Sequence, residues 1–220
     1  MSLPAGTLAG DLIRDRLKVM AVVAGMVLFA LLCHEKRWPQ SLSLMSLAAV
    51  AAVLGSDLKG GAETIRALGL SLTRRRAYWL AVGCIGGVGF AVVCRTAYHT
   101  APLPDRITAF ALVAATIGST EELLFRGWLQ GRLLRWRRPL TAAILAAAAH
   151  AAYKCALFIR PAPATSTTFL VLASGTLIVG TGIGLMRNAS RSVWPCILGH
   201  AVFDVLVYGA FTRAPWWVWN

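Results

Sequence analysis

The chain has 220 residues, of which 57% are hydrophobic and only 14% charged, with a mean hydropathy of +0.65, values that lie outside the range of soluble globular domains. A net charge of +13 would point to nucleic acid in a soluble protein, but the basic residues fall mainly in gaps between apolar runs, where topology signals lie. Composition therefore excludes a soluble nucleic-acid binder and predicts an all-α, polytopic transmembrane bundle.

Apolar runs recur at 18–33, 41–55, 77–94, 107–125, 140–158, 168–186 and 192–212. Most approach the roughly 20 residues needed to cross about 30 Å of hydrocarbon, so about seven spans are expected, six to eight if the short first two are counted differently. The first follows Arg14, Arg16 and Lys18 like a signal peptide, but no small-residue cleavage site precedes "CHEKRWPQ", so it reads as a retained helix. The polar interval 56–76, "SDLKGGAETIRALGLSLTRRR", reads as a partly helical segment on the cytoplasmic surface with Arg74, Arg75 and Arg76 toward anionic lipid; a plain positive-inside loop is the simpler alternative. "RTAYHTAPLPDR" at 95–106, with two prolines, reads as an extracytoplasmic loop, and the tail "PWWVWN" as an interfacial aromatic belt.

The basic residues set the expected orientation. With the N-terminus cytoplasmic, fourteen lie inside (Arg14, Arg16, Lys18, Lys59, Arg66, Arg74, Arg75, Arg76, Arg132, Arg135, Arg137, Arg138, Arg187 and Arg191). Six lie outside (Lys36, Arg37, Arg95, Arg106, Arg160 and Arg213). The sequence has no repeat, low-complexity tract or long polar linker, which predicts one integral membrane domain over 1–220. Five cysteines without a CxxC pair argue against a disulfide framework and against a thiolate zinc site; buried reduced thiols are expected.

Within this apolar background "STEELLFRG" at 119–127 places two carboxylates and an arginine. At about 2.5 to 3.5 kcal/mol each, Glu121, Glu122 and Asp204 would cost near 8 to 10 kcal/mol if unpaired in the bilayer. Glu122 and Arg126 stand four residues apart and can pair on one helical face, while Glu121, rotated by about 100°, is free to face another helix. His150 lies in the fifth run, and His200 and Asp204 in the seventh at i, i+4 spacing. At about 1.5 Å per residue, His150 and His200 lie roughly 15 and 12 Å from the cytoplasmic ends of their helices, and Glu121 roughly 9 to 13 Å. Three helices thus present polar groups at a common level. Taken singly, a histidine in an apolar helix is more often a hydrogen-bonded interhelical residue than a catalytic one, and the Glu122–Arg126 pair reads equally well as structural.

"EELLFRGWLQGRLL" resembles the EExxxR motif of the CPBP family of intramembrane proteases, which includes the eukaryotic CAAX endopeptidases and the Abi-type bacterial proteins. "HAVFD" is similar to the family's HxxxD/N motif through His200 and Asp204. The FxxxH motif is matched only at His150, because Ala146 stands where phenylalanine is expected, and Lys154 departs from the asparagine of the eukaryotic members. The resemblance covers residues 107–210. It implies a catalytic core there and peptide-bond hydrolysis by water activated between a glutamate and histidines. In that scheme Glu121 is the general base, His150 holds the water, and His200 donates to the oxyanion, steadied by Asp204. Glu122 and Arg126 support the helix turn, and no cofactor is needed.

Several alternatives compete. Glu121, His150, His200 and Asp204 are also plausible zinc ligands, although no HExxH occurs. Cys196, His200 and Asp204 form an i, i+4, i+8 stripe that a thiol nucleophile would need, and Ser119 lacks a GxSG context. A proton-coupled carrier or a non-enzymatic immunity factor stands in a different class. The expected partners are the bilayer and a membrane protein or lipid-associated peptide as substrate, with no nucleic acid. The resemblance offers prenylated CAAX peptides, bacteriocin leaders or self-immunity peptides, and C-terminal sorting tails. Richness in Ala, Arg and Gly points to a GC-rich bacterial genome, hence to the bacterial inner membrane and to peptide maturation or C-terminal sorting.

Overall fold

Alternating apolar and polar stretches of this length leave the backbone one way to satisfy its own donors in lipid, and the computed structural model follows it. It describes residues 5–33, 40–56, 61–71, 75–158 and 166–212. Among them every regular element is helical: α1 (Ala5–Cys33), α2 (Gln40–Gly55), α3 (Ala62–Ala67), α4 (Arg76–Ala97), α5 (Ala109–Glu122), a π-helical segment (Leu123–Leu129), α6 (Gln130–Leu133), α7 (Pro139–Phe158), α8 (Ser166–Ser190) and α9 (Trp194–Tyr208).

Each of the seven apolar runs falls on a helix, but four of these helices are long and apolar enough to cross a membrane: Gly10–Cys33, Arg76–Ala97, Pro139–Phe158 and Phe169–Ser190. Helices α2 and α9, of 16 and 15 residues, rise only about 24 and 22 Å. The fourth run is α5, interrupted by the π segment and by Glu121, Glu122 and Arg126. It runs on through α6 to Leu133, well past the expected end at 125. Glu121 therefore stands about 18 Å along the axis from either end of the compound helix, deeper than the sequence reading placed it.

Small residues decide which helices meet. On α4, a Cβ at Gly83 or Gly87 would collide with the backbone of Pro195 or Gly199 on α9. On α8, a Cβ at Gly184 would lie 2.9 Å from the Ala143 Cβ of α7, and one at Gly180 3.1 Å from that of Ala147. Both are small-xxx-small seams of the kind that let helices approach closely without a hydrophobic driving force. Helix α9 lies between α4 and α5, and α7 between α1 and α8. The apolar core gathers Val22, Met26 and Ala30 of α1, Val50 of α2, Phe125, Trp128 and Leu129 of the π segment, and Ala142, Ala146 and Tyr153 of α7.

Polar contacts tie the ends. Asp15 pairs with Arg132, and with Arg135 at 3.0 Å. Arg16 and Arg137 stack over Trp136, with centroid distances of 5.2 and 5.0 Å. Asn188 donates to the Pro139 carbonyl at 3.0 Å, and the Trp194 indole to Leu70 at 2.8 Å. The start of α1, the end of α6, the start of α7 and the end of α8 therefore share one end of the bundle, which carries most of the basic residues. At the other end Arg95, read from sequence as a loop charge, is buried; it donates to Ala101, Leu206 and Val207 carbonyls at 2.6, 3.1 and 3.1 Å and caps α9. In the 56–76 interval α3 is helical, Gly69 takes φ +70°, and its carbonyl accepts from Val193 N–H at 2.7 Å. Arg74 and the "PWWVWN" tail lie outside the described residues.

Candidate active site

Glu121 and Glu122 close α5 and, being consecutive, point about 100° apart, so each meets a different helix. Glu121 turns to α7, where Lys154 Nζ lies 2.7 Å from Oε1 and His150 Nε2 lies 3.2 Å from Oε2. Glu122 turns to α9, where Oε1 accepts from His200 Nδ1 at 2.9 Å and from Arg126 Nη1, one turn along its own chain, at 2.9 Å. All four sequence-singled groups with Glu122 and Arg126 meet in one cluster. Glu121, Glu122, Arg126, His150 and Asp204 are at most 5% exposed.

Hydrogen-bond chemistry then fixes the rings. The same Arg126 Nη1 lies 2.7 Å from His150 Nδ1. A guanidinium only donates, so Nδ1 must accept and the ring proton sits on Nε2, aimed at Glu121. His200 has the opposite arrangement: Nδ1–H donates to Glu122, and Nε2 faces Glu121 Oε2 at 4.0 Å and Asp204 Oδ2 at 3.7 Å. Two imidazole nitrogens thus converge on Glu121 Oε2. Asp204 flanks the His200 ring without a direct hydrogen bond to it.

The local fold explains this placement. The π segment begins directly after Glu122, and such widened turns free carbonyls and re-aim side chains at functional sites. Here the Arg126 carbonyl accepts from Arg187 Nε of α8 at 3.0 Å. Phe125 of the same segment stacks on the His150 ring at 4.4 Å and 18°. It supplies the aromatic packing that the Ala146 position lacks, while Ala146 itself is fully buried in the core. Gly118 makes room for α9, since a Cβ there would touch Asp204 and lie 2.8 Å from His200 Cδ2.

Sequence reasoning did not foresee the Arg126–His150 or Glu122–His200 contacts, and it singled out Lys154 only as a departure from the family's asparagine. The signal for Lys154 was its i+4 spacing from His150, which shares a helical face. The alternative nucleophiles point elsewhere. Cys196 Sγ is turned to the Ile183 carbonyl of α8 at 3.6 Å, and Ser119 Oγ donates to Ala115 O of its own helix at 2.7 Å.

Residues 102–206 match the family model described as type II CAAX prenyl endopeptidase Rce1-like. Over this segment, just under half of its length, the chain is similar to the Rce1-like family. Neither the search of curated proteins nor that of solved structures found a match. The Rce1-like segment spans α5 through nearly all of α9 and so contains every residue of the cluster. The Rce1-like match and the four apolar helices together support an integral membrane protein of the CAAX-type intramembrane protease kind.

Proposed function

We propose that this protein is a glutamic intramembrane endopeptidase that hydrolyses a peptide bond in a membrane-associated segment. The observation that carries the reading is the convergence of Glu121 Oε2, His150 Nε2 and His200 Nε2 inside a buried cluster. Water held there gives a proton to Glu121 as its oxygen bonds to the scissile carbonyl carbon. The carbonyl oxygen, now anionic, accepts from His200 Nε2–H. Because His200 Nδ1–H is engaged by Glu122, that donor is the imidazolium, and Asp204 balances its charge. Glu121 then returns the proton to the leaving nitrogen as the C–N bond breaks. Glu122 and Arg126 hold both rings in register.

A zinc-dependent variant is disfavoured by the donor set. His150 has only Nε2 to offer a metal, and ligation there would move the ring proton to Nδ1, against the Arg126 donor. Cleavage of a quenched membrane-anchored peptide by purified protein is expected to survive exhaustive chelation and to fall by about 10² to 10⁴-fold in Glu121→Gln. Cleavage undiminished in Glu121→Gln would refute the assignment.

The orientation that fits the basic end of the bundle puts the N-terminus in the cytoplasm, with about seven passes through a bacterial inner membrane. A reporter fused at residue 100 is then expected on the extracytoplasmic side. The biological role that fits is peptide maturation or removal of C-terminal sorting segments, and comparison of membrane-protein termini with and without the gene would identify the substrate.

A further inference from the structure

Lys154 is the one charged group of the cluster that the hydrolytic scheme leaves unused. It lies on α7 four residues past His150 and one turn before the helix ends at Phe158. From there its four-carbon stem has the length to carry the ammonium toward an interface, as lysines near helix ends do. Instead the ammonium turns inward to Glu121 Oε1 at 2.7 Å, with the lysine side chain 21% exposed and the glutamate 4%. The cluster it joins holds three buried carboxylates, Glu121, Glu122 and Asp204, and the permanent cation Arg126.

We propose that Lys154 is a positioning residue for Glu121, its hold on Oε1 presenting Oε2 to the two imidazoles. This rests on the reading of Glu121 as the proton acceptor. With one oxygen anchored by the ammonium, the carboxylate plane is fixed, and the oxygen aimed at His150 and His200 is the one that takes the proton from water. The same cation stays in place when Glu121 becomes neutral and the negative charge moves to the carbonyl oxygen, so the cluster's net charge is unchanged through the step. Without Lys154 the carboxylate can rotate about its terminal torsion, which is broad for glutamate.

The test compares wild type, Lys154→Met, Lys154→Arg and Glu121→Gln, purified in detergent, by steady-state cleavage of a membrane-anchored peptide and by thermal melting. Lys154→Met keeps the stem but removes the charge, and kcat is expected to fall about 100-fold, the scale of a misplacement near 1 Å, with KM nearly unchanged. Lys154→Arg restores a donor to Oε1 and is expected to recover part of kcat. Lys154→Met is also expected to lower the melting temperature in the wild-type background but not in Glu121→Gln, where the pair is already broken. Full kcat in Lys154→Met, a loss confined to KM, or equal melting shifts in both backgrounds would overturn the proposal. Wild type that cleaves nothing, or Glu121→Gln that cleaves normally, would instead overturn the hydrolytic reading and this one with it.

Discussion

Two adjacent glutamates, both buried, are assigned opposite duties, and replacing each by glutamine separates them. Glu122 Oε1 serves Arg126 and His200 together, in a side chain with no exposure, and Arg126 is 1% exposed. Glu122→Gln keeps the shape but leaves a buried guanidinium without its counter-charge, a change that costs about 3 to 5 kcal/mol. At about 2 to 4 °C per kcal/mol for a chain of this size, melting should fall by roughly 6 to 20 °C. Glu121→Gln loses a charge-assisted partner of Lys154, about 1.5 to 3 kcal/mol, and the partly exposed lysine can relax outward. Its melting shift is therefore the smaller one. Activity ranks in reverse: Glu121→Gln removes the proposed proton acceptor and should lower turnover by about 10² to 10⁴-fold, whereas Glu122→Gln loses less per folded molecule. Differential scanning fluorimetry and peptide cleavage on the same preparations measure both. Glu121→Gln melting lower than Glu122→Gln while retaining turnover would refute the division of labour.

Other substitutions test neighbouring statements. Gly87→Val should separate α4 from α9, because its Cβ meets the Gly199 backbone, and the overpacking should cost about 1 to 3 kcal/mol or prevent assembly, as read by melting and detergent chromatography. Arg95→Ala strips three carbonyls of a buried donor and should destabilise the far end of α9 by about 1 to 3 kcal/mol, with faster amide exchange at 206–208 as the local readout. Cys196→Ala and Ser119→Ala should both keep turnover, since neither side chain faces Glu121; loss of cleavage in either would revive a nucleophilic mechanism.

Hydropathy located the helices because lipid leaves an uncharged run of 15 to 20 residues no other structure. It misjudged their ends for a related reason: α1 and α6 extend through Asp15, Arg16 and Arg132, whose charges looked like loop residues but are held by each other and by Trp128 and Trp136. Arg95 was misread in the same way, as a topology signal rather than a cap. The pairing of helices is written in the sequence as spaced glycines, which hydropathy does not register. Gly83 and Gly87, and Gly180 and Gly184, are four-residue repeats of the smallest side chain, and each marks the seam along which α9 or α7 is packed.

The candidate site was legible as a set of polar residue types on three helices, but its wiring was not, because i, i+4 arithmetic reports only contacts within a helix. It paired Glu122 with Arg126 and His200 with Asp204, and it had no means to see that Arg126 reaches across to His150 or that Glu122 reaches His200. Those two interhelical bonds impose opposite tautomers on the two histidines, so that His150 offers a donor to Glu121 while His200 offers Nε2 as acceptor or, once protonated, as donor. When His200 carries its proton, Glu121, Glu122 and Asp204 stand against Arg126, Lys154 and His200, and the buried cluster is neutral as a whole. Neutrality is the condition under which so many ionised groups tolerate burial between apolar helices. The proposed proton transfer from water to Glu121, with the charge passing to the carbonyl oxygen, preserves it.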